Sequence, residues 1–123
     1  MPHKSRLAGF ILDCQDTEPS RAAAFWSRAL GMADLGAEGE AYVRLDARSR
    51  DLTIEVQKVA HESRVHVDIE STDVDAEASR LEALGARRVA RIHTWWVMEA
   101  PTGQKFCVVR AKSESAPGFT EWP

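Results

Sequence analysis

The chain has 123 residues, 44% of them hydrophobic, and a formal net charge of -3, which is enough for one compact domain with a core and too little for two independent ones. Its 16 Lys and Arg residues are interspersed among 19 Asp and Glu residues, so no basic surplus exists to neutralise a phosphate backbone and nucleic acid is excluded as an expected partner. The apolar run at residues 7–12 is too short for a signal peptide or a membrane span, and Cys14 and Cys107 lie far apart without CxxC spacing, so reduced thiols, a cytoplasmic setting and no membrane partner are expected.

In chain order, residues 7–14 (LAGFILDC) are apolar and bounded by Gln15, Asp16, Thr17 and Pro19, the pattern of a buried strand running into a helix start. The segment SRAAAFWSRALG then carries Ala22, Phe25, Trp26, Ala29 and Leu30 at three- and four-residue spacing, with Gly31 as a left-handed stop. The expected buried face of this helix is Phe25, Trp26 and Leu30. AYVRLDA and DLTIEVQKV alternate in polarity and read as a hairpin.

The order then begins again. Residues 65–70 predict a strand, residues 73–75 a helix start, and Val74, Ala78, Leu81 and Leu84 form a helical stripe closed by Gly85. RRVARI, TWWVMEA and QKFCVVR predict three further strands, with the turn PTG between the last two. Strand, helix and antiparallel strands, twice, is an internal repeat of about 57 residues when Asp16 is matched to Asp73.

These segments carry a family resemblance. LAGFILDCQD followed by AAAFWSRALGM, RVHVDIESTDVDAEASRLEALGA and WWVMEAPTGQKFCVV is similar to the vicinal oxygen chelate superfamily, in its glyoxalase-like or bleomycin-resistance-like branch, across residues 6–110. The resemblance implies an α+β fold of paired βαβββ modules forming a curled, cleft-enclosing mixed sheet. It makes residues 1–123 a single glyoxalase-like domain, with module one at about 6–59, module two at about 63–111 and a C-terminal tail at 112–123. It also implies a homodimer.

The chemistry turns on RVHVDIESTD. On a strand, His66, Asp68 and Glu70 share one face and Val65, Val67 and Ile69 the other. The apolar face is the natural partner of the following helix, which leaves His66 toward the concave side. Metal-dependent members of the superfamily draw one ligand each from four strands. The resemblance sets Gly9 at one of those positions, Glu55 or Gln57 at the second, His66 at the third and Cys107 at the fourth. Glycine has no donor atom, and a thiol departs from an oxygen-rich set. His61 and His93 fall at predicted strand edges. No cofactor is therefore expected; should a divalent ion bind, His66 and Glu55 are its expected ligands.

Two functional readings follow. In the first, a metal-free cleft binds a small, partly aromatic or hydrophobic molecule, with Glu55, Gln57, His66 and Asp68 as polar anchors, Trp95 or Trp96 as a stacking plate and Met98 as a soft apolar surface. In the second, the chain is a lyase- or isomerase-type enzyme in which His66 is catalytic, working with a carboxylate or a divalent metal on a small carbonyl substrate. Cys107, flanked by Phe106 and Val108, reads as core rather than nucleophile. Trp95 and Trp96 must point to opposite faces, with the choice between them open. Phe119 and Trp122 in the tail either fold back over the sheet or dock on a second subunit.

Overall fold

The structure, a computed structural model, describes residues Met1–Pro123. The elements are β1 (His3–Gln15), α1 (Pro19–Leu30), β2 (Asp34–Glu38), β3 (Tyr42–Leu45), a 3-10 turn (Arg48–Arg50), β4 (Thr53–Val59), β5 (Arg64–Ser71), α2 (Val74–Ala83), β6 (Arg87–Ile92), β7 (Trp95–Glu99), β8 (Lys105–Arg110) and β9 (Thr120–Trp122). The order βαβββ occurs twice, followed by one extra strand. The chain is mixed α+β, with parallel and antiparallel pairings. It divides into two compact units, Gly9–His66 and Met1–Ala8 with Val67–Pro123.

In the unit Gly9–His66, β3 runs antiparallel to both β2 and β4, and β4 runs parallel to β1. Parallel neighbours need a crossover, which α1 supplies. Pro19 opens this helix, where its missing N–H costs nothing, and Gly31 ends it at φ 66°. The core gathers Leu12 from β1, Ala22 and Ala23 from α1, Val43 and Leu45 from β3, and Ile54 and Val56 from β4.

The expected helix face is corrected here: Pro19, Ala22 and Ala23 are the buried residues of α1, Trp26 is half-buried against the core, and Phe25 and Leu30 are exposed at 63% and 43%. The side of α1 that carries Ala22, Ala23 and Trp26 meets the core, and Phe25 lies off that side. The strand β2 (DLGAE) was not foreseen; all five of its residues are exposed, so no burial pattern marks it.

In the unit Met1–Ala8 with Val67–Pro123, β5 runs parallel to β8, which pairs antiparallel with β7, and β7 with β6. α2 is capped by Asp73, whose carboxylate accepts from the Ala76 N–H at 2.9 Å. It packs Val74 and Ala78 onto Met98 and Val108, with Leu81, Trp96 and Phe106 at the margin. Leu84, expected in the helical stripe, is 66% exposed, because the helix has ended and Leu84 is its cap.

The N-terminal part of β1 pairs antiparallel with β9, with His3 opposite Trp122. This decides between the two readings of the tail: it folds back on its own chain. The Trp122 indole N–H donates to Ser5 Oγ at 2.9 Å and the Arg80 guanidinium lies 3.7 Å above the ring. Beneath this lid Glu77, fully buried, accepts from the Arg80 guanidinium through both oxygens at 2.8 Å and is bonded to His3 Nε2 at 2.7 Å. No helix of the chain is long and apolar enough to cross a membrane.

Candidate functional site

Strand alternation decides which side chains stand together. On β1, Phe10, Leu12 and Cys14 point to the α1 core, so Gly9, Ile11 and Asp13 belong to the opposite face. The register carries the same division across the sheet: Asp13 is in line with Gln57 and Gln57 with Tyr42, while Ile11 is in line with Glu55 and Glu55 with Arg44. The face turned away from α1 is thus polar along β3 and β4.

His66 joins this face through Asp13. Its Nδ1 lies 2.8 Å from Asp13 Oδ2, with the carboxylate side chain 2% exposed and the imidazole 14%. A carboxylate only accepts, so Nδ1 carries the hydrogen and the ring orientation and tautomer are set by Asp13. Arg64 Nε at 3.7 Å and His61 Nε2 at 3.9 Å approach the same oxygen. The second oxygen, Oδ1, is buried without a hydrogen-bond partner. Such an atom is costly unless something polar reaches it. Asp13 is the candidate site residue that the sequence reading did not single out. Its signal was a single carboxylate at an alternate position of an otherwise apolar strand.

The other expected site residues separate by face. Asp68 follows His66 by two positions on β5 and shares its side. It is in register with Cys107, which is in register with Val97. Trp95, two residues before Val97, lies on this side as well, turned away from α2. Cys107, which reads as core in the sequence, is half-buried there and is not part of the cluster under α2. Met98 and Trp96 occupy the opposite side. Met98 is fully buried under α2, and Trp96 packs at the edge of that core. The Trp96 indole N–H donates to Asp75 Oδ1 at 2.9 Å, and its ring lies under Arg88 and Arg91. That hydrogen bond, chiefly, holds the Asp75 carboxyl below the ordinary carboxylate range. Met98 and Trp96 are placed where packing uses them.

His93 sits at φ 50° in the turn between β6 and β7, with its ring 5.7 Å from Trp95. His61 lies in the connection between β4 and β5.

The donor set for a familial cation can be tested at Gly9. A Cβ built there would overlap the Thr53 carbonyl oxygen and crowd the Thr53 backbone nitrogen. The strand pair β1/β4 therefore leaves no room for any side chain at that position, and the four-ligand set is one donor short for a steric reason. Within the same unit, His66 Nδ1 is bonded to Asp13, so Nε2 is the nitrogen of that ring that could serve as a donor. With no room for a donor at Gly9, the residues do not complete the familial set.

Two helices, each crossing over a small mixed sheet, with a carboxylate-held histidine at a strand end, define a two-module βαβββ protein. The family model described as Glyoxalase-like domain matches residues 9–109, and the chain belongs to that family, within the vicinal oxygen chelate superfamily. Similar solved structures include methylmalonyl-CoA epimerase from Mycobacterium tuberculosis (15% identity, 89% of each chain, TM-score 0.64). A glyoxalase/bleomycin resistance protein/dioxygenase superfamily member from Vibrio splendidus is also similar (16% identity, 87% of this chain and 99% of that one, TM-score 0.55). So is a structure described as NAD-dependent benzaldehyde dehydrogenase from Legionella pneumophila (8% identity, 84% and 99%, TM-score 0.62). At these identities the likeness is one of fold. A search of curated protein sequences gave no significant match.

Proposed function

We propose that this chain is a single-domain glyoxalase-like protein that binds a small, partly aromatic or hydrophobic molecule on the sheet face turned away from α1, using the Asp13–His66 pair as its hydrogen-bonding anchor. The observation that carries the reading is the 2.8 Å contact between His66 Nδ1 and the buried Asp13 carboxylate. Holding an imidazole in one orientation costs side-chain freedom and carboxylate desolvation, and a pre-set polar group of that kind suits a ligand site. Gln57, Tyr42 and Glu55 supply further polar groups on that face. In the second unit Trp95 and Asp68 are the corresponding groups turned away from α2. Cys14 and Cys107 are half-buried and joined in no disulfide, and a cytoplasmic setting belongs to the same reading. A homodimer belongs to the same reading, and light scattering that gives a monomer at micromolar concentration removes that part of it.

The test uses phenylpyruvate, benzoate and acetophenone as probes, followed by tryptophan fluorescence and thermal shift. At least one should bind saturably, and His66→Ala and Asp13→Asn should each weaken it by roughly tenfold, the loss of a charge-assisted or well-oriented hydrogen bond. No response to any probe, or wild-type affinity in both variants, defeats the reading.

A second reading is favoured by the same pair together with the epimerase neighbours. His66, held by Asp13, would take a proton from the carbon beside a thioester carbonyl and return it, a general-base role with no net change in bonding. Incubation of propionyl-CoA in D2O, monitored by NMR, should then show deuterium at that carbon. Exchange no faster than in buffer, or exchange that persists in His66→Ala, removes it.

A further inference from the structure

A second concavity lies on the opposite side of β1, between its C-terminal end, α1 and the start of β5. Its volume is about 470 Å³, within the range of small-molecule sites. Its wall is aromatic: Phe25 and Trp26 meet edge to face at 5.1 Å, and Phe25 is 63% exposed although it is one of the largest apolar groups of α1. The packing of α1 rests on Ala22 and Ala23, so the core has no use for Phe25. Val65, 59% exposed, extends the apolar rim.

The polar part of the lining is cationic. Arg21 stands one helical turn before Phe25, on the same side of α1. It is exposed, and its guanidinium has neither hydrogen bond nor ion pair. Arg64, about half exposed, reaches into the same space. The sole carboxylate of the lining is Asp13, and that group already faces His66 at 2.8 Å, Arg64 at 3.7 Å and His61 at 3.9 Å. The Arg21 charge is therefore surplus to the internal pairing of the site. Cys14, also in the lining, has its thiol pushed up by burial and then by the Asp13 charge, so it stays protonated and contributes a soft contact.

We propose that this cavity binds a small amphipathic anion, with its acidic group on Arg21 and Arg64 and its aromatic or aliphatic body against Phe25 and Trp26. Guanidinium forks match carboxylate and sulfonate geometry, and the adjoining aromatic wall removes the ligand's apolar part from water. The cavity lies on the α1 side of β1, and it shares Asp13 and the Arg64 beside it with the helix-free face.

The probe is 1-anilinonaphthalene-8-sulfonate, titrated against the full chain, with N-phenyl-1-naphthylamine as its uncharged counterpart. One saturable site per chain is expected for the sulfonate. Arg21→Gln and Phe25→Ala should each weaken it by about tenfold, with the melting temperature unchanged because both side chains are exposed. Arg21→Gln should leave the uncharged dye unaffected. Leu84→Ser, at an exposed leucine of α2, and His66→Ala should leave sulfonate affinity within about twofold. Three outcomes overturn the proposal: sulfonate affinity equal in wild type, Arg21→Gln and Phe25→Ala; loss that follows Leu84→Ser or His66→Ala instead; or a change in oligomeric state in Phe25→Ala that accounts for the lost binding. Acetophenone is uncharged and its binding should depend on His66 and not on Arg21, so failure at one site is distinguishable from failure at the other.

Discussion

Asp13 Oδ2 receives the Nδ1 hydrogen of His66 at 2.8 Å, across 53 residues of chain. Both groups are largely buried, so removal of either leaves the other to bear a desolvation cost unrelieved. Asp13→Asn and His66→Ala should each destabilise the fold by about 1–3 kcal/mol in urea titrations. The double variant should cost markedly less than the sum of the two, since they share one interaction. Additive single effects would show that the contact contributes nothing of its own.

Gly9 makes a separate demand on the backbone. A β-carbon there meets the Thr53 carbonyl group, which belongs to the main chain of β4 and cannot rotate aside. Gly9→Ala should therefore destabilise by roughly 1–3 kcal/mol, the usual cost of forcing atoms into a packed position. Gly9→His should not gain affinity for a divalent ion, and should fold worse still. A wild-type melting temperature in Gly9→Ala would overturn the steric account, and with it the reason given for the short donor set.

Much of this architecture is legible in the chain because the determining signals are local. The Gly31 and Asp73 caps, the alternating strands β3 and β4, the short apolar runs of β7 and β8, and the repeated βαβββ order all follow from residues within a few positions of one another. β2 escapes because no residue of DLGAE is buried, so alternation leaves no trace in it. Phe25 and Leu30 mislead because side-chain size suggests the core, whereas the side of α1 that meets the sheet carries Ala22, Ala23 and Trp26. The site is less legible than the fold. His66 stands out on its own strand, but its partner Asp13 and the buried Glu77 take their meaning from contacts 53 and 74 residues away.

Glu77 provides a pH prediction. Burial alone would raise its carboxyl, but hydrogen bonds from Arg80, His3 and Ser5 and the Arg80 charge outweigh that and leave it lowered. A carboxyl depressed in the folded state stabilises the fold above its unfolded value, near 4.3, and that contribution is lost as pH falls through the lower folded value. The stability difference between wild type and Glu77→Gln should be constant above about pH 5 and shrink progressively below about pH 4. A difference that widens on acidification would give the shift the opposite sign.

The strand β7 allows one element to be tested against itself. Met98 is fully buried beneath α2 and touches the Val74, Ala78 and Val108 cluster, so Met98→Ala should cost about 2–5 kcal/mol through lost contacts and the cavity left behind. Trp95 projects from the other side of the same strand and is only half-buried, and Trp95→Leu should cost less than about 1.5 kcal/mol, as a swap between apolar groups outside the core does. In the same pair of variants ligand response should reverse. A probe bound on the face turned away from α2 should lose affinity in Trp95→Leu and keep it in Met98→Ala, provided the latter is assayed well below its lowered melting temperature. If Met98→Ala instead alters affinity at wild-type stability, the division of this strand into a packing side and a ligand side is incorrect, because a side chain enclosed by α2 and β8 has no route to a ligand except through the fold itself.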